Sequence, residues 1–502
     1  MLHETPDRPC QNRRQKPFRP LHARPPVLHN PGMAEDPLPV AQVRSLGEAR
    51  SSGPAGLDLL RPAVPRIGVV LAAGRSQRLA DVTGGGSKAL IRLGGLTLVE
   101  RAVRSLKQAG VAEVVVVTGS HAGPVGAVIS RMGVSRVRCL LAEDWELGNG
   151  ASLAAAEPVV GDEPLFALVM ADHVFSERAF TELLRAGQPA VLVDPAPGPS
   201  VWEEGCRVRF HQGRATAFGK HLAEPAVDCG AFLVPPGIFP ALREAAAGGD
   251  HSLAGALSRL AARRSLLPVP LPPNSWWQDI DTPRDLEVAR NQLRRGLTKE
   301  SEGPISRYLN RPVSTRISMA LAPLRLSPAA LSFAALMLCV VAALFLAQGT
   351  GIVGGLLVQA ASILDGVDGE VARLQLRAGP RGAMLDGVLD RFADVAVALG
   401  LGLWALSLGV GANLTLGLTV AAAAGSLLSM ASKDRAAAVG LPVGPERVLA
   451  FLMGGRDGRL LIIAVAAIFS APLAALVAVA TTSMLSVCLR VVLVLRLARL
   501  LG

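Results

Sequence analysis

At 502 residues the chain exceeds one ordinary domain, so two or more folded units are expected. A net charge of +11 fits nucleic acid, anionic lipid or phosphorylated substrates, but aromatic residues are only 4% and never interleave with basic ones, which excludes a base-stacking surface and nucleic acid as partner. Cys10, Cys139, Cys206, Cys229, Cys339 and Cys488 are scattered without metal spacing, which argues against a disulfide framework and suits a reducing cytosol.

Residues 1–64 are rich in Pro, Arg and polar residues and show no sustained periodicity, so they read as a disordered extension. The basic run Arg13, Arg14, Gln15, Lys16 has no apolar stretch after it and is no secretory signal; Met33 is an equally good start. Residues 65–296 read as a soluble α/β domain with a Rossmann-like, mostly parallel sheet. Residues 67–71 form a short apolar run ending in a glycine loop, as a buried parallel strand does. Residues 96–109 have helical periodicity, and 113–118 and 165–170 read as further buried strands. Ligands of such sheets gather at the strand C-termini.

Chemistry-bearing residues fall at those ends. Leu71, Ala72, Ala73 and Gly74 open a loop able to offer backbone N–H groups to a triphosphate, with Arg78 and Lys88 adding positive charge. The stretch resembles the sugar-phosphate nucleotidyltransferase family, whose loop reads L-A-A-G-x-G-x-R-L; Ser76 replaces its second glycine. Asn149 and Ser152 look like that family's base and ribose segment. The resemblance implies that Asp172 is one metal ligand and that Asp279 or Asp281, beside Trp277, supplies the second carboxylate. A plainer reading makes Asp172 a loop cap and Trp277 core packing. His173 reads as a structural neighbour, since phosphoryl transfer needs metal and positive charge more than an imidazole.

Residues 297–315 read as a linker leading into the membrane, and 316–502 as an all-α polytopic membrane domain. About six apolar segments are centred near residues 338, 357, 397, 421, 466 and 481, giving about six transmembrane helices. Arg373, Arg377 and Arg381 lie between the second and third. Lys433, Arg435, Arg447, Arg456 and Arg459 lie between the fourth and fifth, whereas the loops near Gly349, Val410 and Ala471 have no Lys or Arg. The positive-inside rule predicts a multi-pass protein of the cell membrane, with both termini and the soluble domain cytosolic.

Within these segments runs D-x-x-D-G-x-x-A-R, eight residues, then G-x-x-x-D-x-x-x-D, comprising Asp365, Asp368, Gly369, Ala372, Arg373, Gly382, Asp386 and Asp390. Spacings of three and four place each aspartate pair on one helical face. Ionisable groups in apolar segments are costly and normally functional. Four converging carboxylates call for divalent cations, and Arg373 can pair with a phosphate. The pattern resembles the CDP-alcohol phosphotransferase family over about residues 305–502. That resemblance implies two Mg²⁺ or Mn²⁺ ions, one held by Asp365, Asp368 and Asp386 and the other by Asp365, Asp386 and Asp390. It makes Asp390 the general base and sets Gly369 and Arg373 against the nucleotide.

The fusion itself resembles the bifunctional inositol-1-phosphate cytidylyltransferase and di-myo-inositol phosphate phosphate synthase family. CTP, inositol 1-phosphate and CDP-inositol are then the expected partners, with the lipid bilayer, and a homodimer is the expected assembly. A dianionic acceptor needs cations of its own; Lys433, Arg456 and Arg490, near the cytosolic segment ends, are the candidates. The alternatives are a CDP-diacylglycerol-dependent phospholipid synthase fused to an unrelated sugar-phosphate nucleotidyltransferase, and a membrane-anchored degenerate nucleotide sensor.

Overall fold

In the computed structural model, residues 64–74, 79, 84–263, 266–298, 302–438 and 455–501 are described. The first strands are β1 (Ile67–Ala72), β2 (Arg92–Leu93), β3 (Leu96–Thr97), β4 (Glu113–Thr118), β5 (Val137–Leu141) and β6 (Phe166–Met170). They are followed by β7 (His173–Phe175), β8 (Ala190–Asp194), β9 (Arg207–His211), β10 (Arg214–Gly219), β11 (Val227–Val234), β12 (Leu267–Pro270) and β13 (Trp277–Asp279). β1 runs parallel to β4 on one side and β6 on the other, so Val69 sits between Val115 and Leu168. β5 adds in parallel beyond β4. Past β6 the sheet turns antiparallel at β11, which also pairs with β8 and, at its start, with β9.

The continuous apolar strands are explained by burial on both faces. Val69, Leu71, Val115 and Val117 enter one core layer, while Val70, Val114 and Val116 enter the opposite one. Helix α1 (Leu98–Gln108) starts at a capping box: Glu100 N donates to Thr97 Oγ1, and Thr97 N donates to the Glu100 carboxylate at 2.8 Å. Helix α2 (Pro283–Arg295) starts the same way, with Thr282 and Asp285 as the reciprocal pair and a proline in its first turn.

The C-terminal half is helical: α3 (Arg311–Leu321), α4 (Pro328–Ala347), α5 (Gly351–Leu374), α6 (Pro380–Ser407), α7 (Ala412–Ala438), α8 (Arg456–Ile468) and α9 (Pro472–Leu501). Each of the six apolar segments read from the sequence falls in its own helix, from α4 to α9. Among the described residues, α4, α5, α7 and α9 are long and apolar enough to cross a membrane. The first half of α6 carries Arg381, Asp386, Asp390, Arg391 and Asp394. Small residues set the packing distance: a Cβ on Gly355 would stand 2.6 Å from the Ala464 carbonyl oxygen, and one on Gly400 2.4 Å from that of Ala343. Large apolar side chains such as Phe333, Leu344, Leu399 and Leu416 point outward, as lipid-facing positions do.

Helix α3 is fastened to α5 by one fully buried carboxylate. Glu370 accepts from Arg311 Nη1 at 2.5 Å, Ser314 Oγ at 2.6 Å and Ser318 Oγ at 2.5 Å, and Arg311 also reaches Glu302 at 2.8 Å. Removing it takes one of two carboxylates from a largely buried guanidinium and the acceptor from two hydroxyls. Glu370→Ala is therefore expected to cost about 3–5 kcal/mol, read as a lower midpoint of thermal unfolding in detergent. An unchanged midpoint would show that the clamp contributes nothing to stability.

Candidate active sites

Among the described residues, two clusters of acidic side chains gather, one in each half. In the first, Asp172 lies two residues past β6, at the C-terminal end of the parallel strands. The β7–β13 ladder places His173 opposite Asp279, and Ile280 N donates to the Asp172 carbonyl at 3.1 Å. One ligand atom from each of Asp172, His173 and Asp279 lies within 4.8 Å of the others. Lys88, on a single 3-10 turn capped by Ser87, completes the group: its Nζ is 3.0 Å from Asp172 Oδ2 and also donates to Asp281. Asp279 is thus beside Asp172 in the ligand cluster, while Asp281 is engaged by Lys88.

The imidazole of His173 stands between Asp172 (2.9 Å) and Asp279 (3.8 Å), stacked on Trp277 with ring centroids 5.7 Å apart. Gly230 has φ +71°, and a Cβ there would meet His173 Cδ2 at 2.5 Å, so only glycine leaves room for the ring. Burial opposes a charge on His173, but Asp279 and Asp172 outweigh it and raise the pKa to about 9. Burial also raises Asp279, with Asp172 and Asp281 adding repulsion and His173 and Lys88 opposing, to about 6. Burial acts against the Asp172 carboxylate as well, yet His173 and Lys88 hold it well below the usual carboxylate range.

Leu71, Ala72 and Ala73 are buried at the end of β1 and Gly74 is exposed; Arg78 lies outside the described residues. Asn149 and Ser152 stand on the short helix Asn149–Ala154. There Asn149 Oδ1 accepts from Leu253 N at 2.8 Å, and Ser152 Oγ donates to the Gly148 carbonyl at 3.1 Å.

In the second cluster α5 presents Asp365 and Asp368, and α6 presents Asp386 and Asp390. One oxygen from each of Asp365, Asp386 and Asp390 lies within 4.8 Å of the others. Asp368 is buried, accepts from Ser332 Oγ and from Gly369 N, and neighbours Asp386. Arg456, from α8, reaches into the cluster: its Nη1 is 2.7 Å from Asp365 and 2.9 Å from Asp390, and its Nε is 3.2 Å from Asp394. Gly369 leaves the Arg373 guanidinium room (3.3 Å from where a Cβ would be), and Arg373 Nη2 donates to the Leu297 carbonyl at 2.9 Å.

The three candidate cations for an acceptor phosphate have different surroundings. Arg456 is among the aspartates. Arg490, on α9, is buried and donates to the Ser429 carbonyl at 2.5 Å and to Ser432 Oγ on α7, next to exposed Lys433. Sequence reasoning passed over Asp394, which takes Arg456 and, at 3.5 Å, Arg459. Its signal was present: Asp394 is one further helical turn beyond Asp390.

Oxygen donors with one imidazole in the first cluster, and carboxylates alone in the second, are sets that hard divalent cations accept. Both acidic groups therefore fit a metal on their donor chemistry and convergence.

Residues 68–263 match the MobA-like NTP transferase domain, and residues 325–487 match the CDP-alcohol phosphatidyltransferase family. A bifunctional IPC transferase and DIPP synthase of Rubrobacter xylanophilus is 36% identical over 333 residues, covering 65% of this chain and 75% of that one. The protein of the same description from Thermococcus kodakarensis is 34% identical, covering 66% and 74%. A solved inositol-1-phosphate CTP transferase from T. maritima aligns at 24% identity with a TM-score of 0.42, over 46% of this chain and 96% of that one.

The raised His173 pKa has a testable sign. Because the folded value (about 9) exceeds the ordinary 6.5, the metal-free protein gains stability from His173 below pH 6.5 and loses it as pH rises through 9. The full effect is on the order of 3 kcal/mol. Thermal unfolding in EDTA at pH 6.5 and at pH 9.5 should show this slope in the wild type and a flatter one in His173→Gln; equal slopes would refute the assignment.

Proposed function

As the chain belongs to the family of bifunctional IPC transferases and DIPP synthases, we propose that it runs two consecutive transfers. In the first, a phosphate oxygen of inositol 1-phosphate attacks the α-phosphorus of CTP, giving CDP-inositol and releasing diphosphate. In the second, a hydroxyl of another inositol 1-phosphate attacks the phosphorus bearing inositol in CDP-inositol. CMP leaves, and the product is phosphorylated di-myo-inositol phosphate. The observation that carries this reading is the presence of two acidic clusters in one chain, each with its own cation against it: Lys88 at Asp172, and Arg456 at Asp365 and Asp390.

At the soluble site Lys88, with Arg78, balances the triphosphate; Lys88 exchanges Asp172 and Asp281 for phosphate oxygens as the nucleotide arrives. Leu71, Ala72, Ala73 and Gly74 offer backbone to the nucleotide, and Asn149 and Ser152 flank its base and ribose. Asp172 and Asp279 hold Mg²⁺ or Mn²⁺ there; Asp365, Asp368, Asp386 and Asp390 hold a pair at the membrane site, with Gly369 and Arg373 against the nucleotide. Bound metal neutralises phosphate charge at both places. Asp390 takes the proton of the attacking hydroxyl. The loops that lack Lys and Arg, near Gly349, Val410 and Ala471, support a multi-pass protein of the cell membrane with both sites on the cytosolic side. A homodimer completes the proposal.

The two steps should come apart on mutation. With CTP and inositol 1-phosphate supplied, Asp390→Asn is expected to accumulate CDP-inositol and to lose at least about a hundredfold in the second step. Lys88→Ala or Asp172→Ala should stop CTP consumption yet still convert supplied CDP-inositol. Normal turnover of CDP-inositol by Asp390→Asn, or intact cytidylyl transfer by Asp172→Ala, would refute the corresponding role.

The acceptor's phosphate is assigned to Lys433, Arg456 and Arg490. Alanine at each should raise the KM for inositol 1-phosphate, with a smaller effect on that for CDP-inositol. Because Arg456 also touches two metal candidates, its variant should lose kcat as well. Unchanged acceptor KM in all three rejects the pocket. Efficient use of unphosphorylated inositol, or of CDP-diacylglycerol as donor, would favour the phospholipid synthase, and no turnover at either site would favour the nucleotide sensor.

A further inference from the structure

The soluble half touches the membrane half at the end of the helix that carries the metal candidates. α5 holds Asp365, Asp368, Gly369 and Arg373 within its last ten residues and ends at Leu374. A helix end leaves its last carbonyls without intrahelical donors. Here Val371, Ala372 and Arg373 receive backbone N–H groups from Gln375, Arg377 and Leu376. The carbonyl of Leu374 receives a side chain from the other half: Arg101 Nη2 donates to it at 3.1 Å and to the Leu93 carbonyl, on the β2–β3 hairpin, at 2.7 Å. One nitrogen thus ties that hairpin to the end of α5. A cation at a helix C-terminus also opposes its partial negative charge.

Independent contacts keep this seam close. Gly95, at φ +83°, lies so near α3's end that a Cβ would come 2.2 Å from the Ala322 carbonyl oxygen. Leu374 is buried with Leu297 and Ala322. Glu100, next to Arg101 and only 1% exposed, pairs with Arg325 at 2.7 Å.

We propose that Arg101, a residue of the soluble half, is a positioning residue for the membrane transfer: it fixes the end of α5, and through it the aspartates about 9 Å back along the helix from Leu374 to Asp368 at 1.5 Å per residue. This rests on the assignment of CDP-inositol turnover to the membrane site. Its consequence is that the soluble half is required for the second reaction as a structural support, apart from supplying the intermediate.

The test uses the full chain in lipid nanodiscs, with diphosphate release from CTP and CMP release from supplied CDP-inositol measured separately. Arg101→Ala should keep diphosphate release within about threefold, lower CMP release about tenfold to a hundredfold, and raise the Mg²⁺ concentration needed for half-maximal CMP release several-fold, as loss of outer-shell support does. Arg101→Lys should recover much of both. Arg325→Ala breaks the Glu100 contact at the same seam and should move CMP release and its Mg²⁺ requirement in the same direction by less, with diphosphate release kept within about threefold as the check that the first half is folded. Unchanged CMP release with unchanged Mg²⁺ dependence in Arg101→Ala and Arg325→Ala overturns the proposal. Equal loss of both activities in Arg101→Ala also overturns it, since that is a packing defect of the soluble half. A wild type that consumes CTP but releases no CMP from CDP-inositol would instead remove the reaction assignment and this inference with it.

Discussion

Carboxylates repel one another, and in an apolar bundle little water screens them. That constraint organises the helical half. Asp365 and Asp390 approach because Arg456 stands between them, and Asp394 can lie one turn deeper because Arg456 and Arg459 both face it. α8 is thereby pinned against α5 and α6 by charge, while the backbone approach at Gly355 and Gly400 brings helices close through the absence of side chains. The same repulsion shapes the soluble half, where Lys88 and His173 balance Asp172, Asp279 and Asp281. An arginine or a lysine in such a place is the counter-ion that lets the carboxylates gather.

How much of this was legible depended on whether the determinant was local. The central strands were, because six consecutive buried residues in β1 leave a continuous apolar run. So were the four membrane aspartates, since spacings of three and four in a helix fix a shared face whatever surrounds it. α6 is harder to read: it is apolar around residue 397, yet its first half is built around Asp386, Asp390 and Asp394, so length and charge pull in opposite directions.

Non-local partners were the larger loss. Nothing in the sequence near Glu370 announces that Arg311, Ser314 and Ser318 will converge on it, although the three do share a helical face. Arg456 stands out in the sequence as a cation for an acceptor phosphate, but its direct contacts with the aspartates come only from the packing of α8 against α5 and α6. His173, read as a structural neighbour of Asp172, faces two carboxylates with its Nδ1 because β13 pairs with β7 in a register that only the folded chain defines.

That ladder also fixes an order of events during synthesis. Asp172 and Asp279 are separated by more than a hundred residues, so the soluble cluster cannot close until β13 has been made. It is nevertheless complete before Pro328, where the first apolar helix begins. A nascent chain can therefore assemble its first acidic cluster before any of the long apolar helices has been made, in keeping with domains folding from the N-terminus as they emerge. The β2–β3 hairpin, by contrast, must wait with Gly95 and Arg101 uncovered until Ala322 and then Leu374 arrive. The contact of Arg101 with the end of α5 thus forms late, on a chain whose first half has already been made.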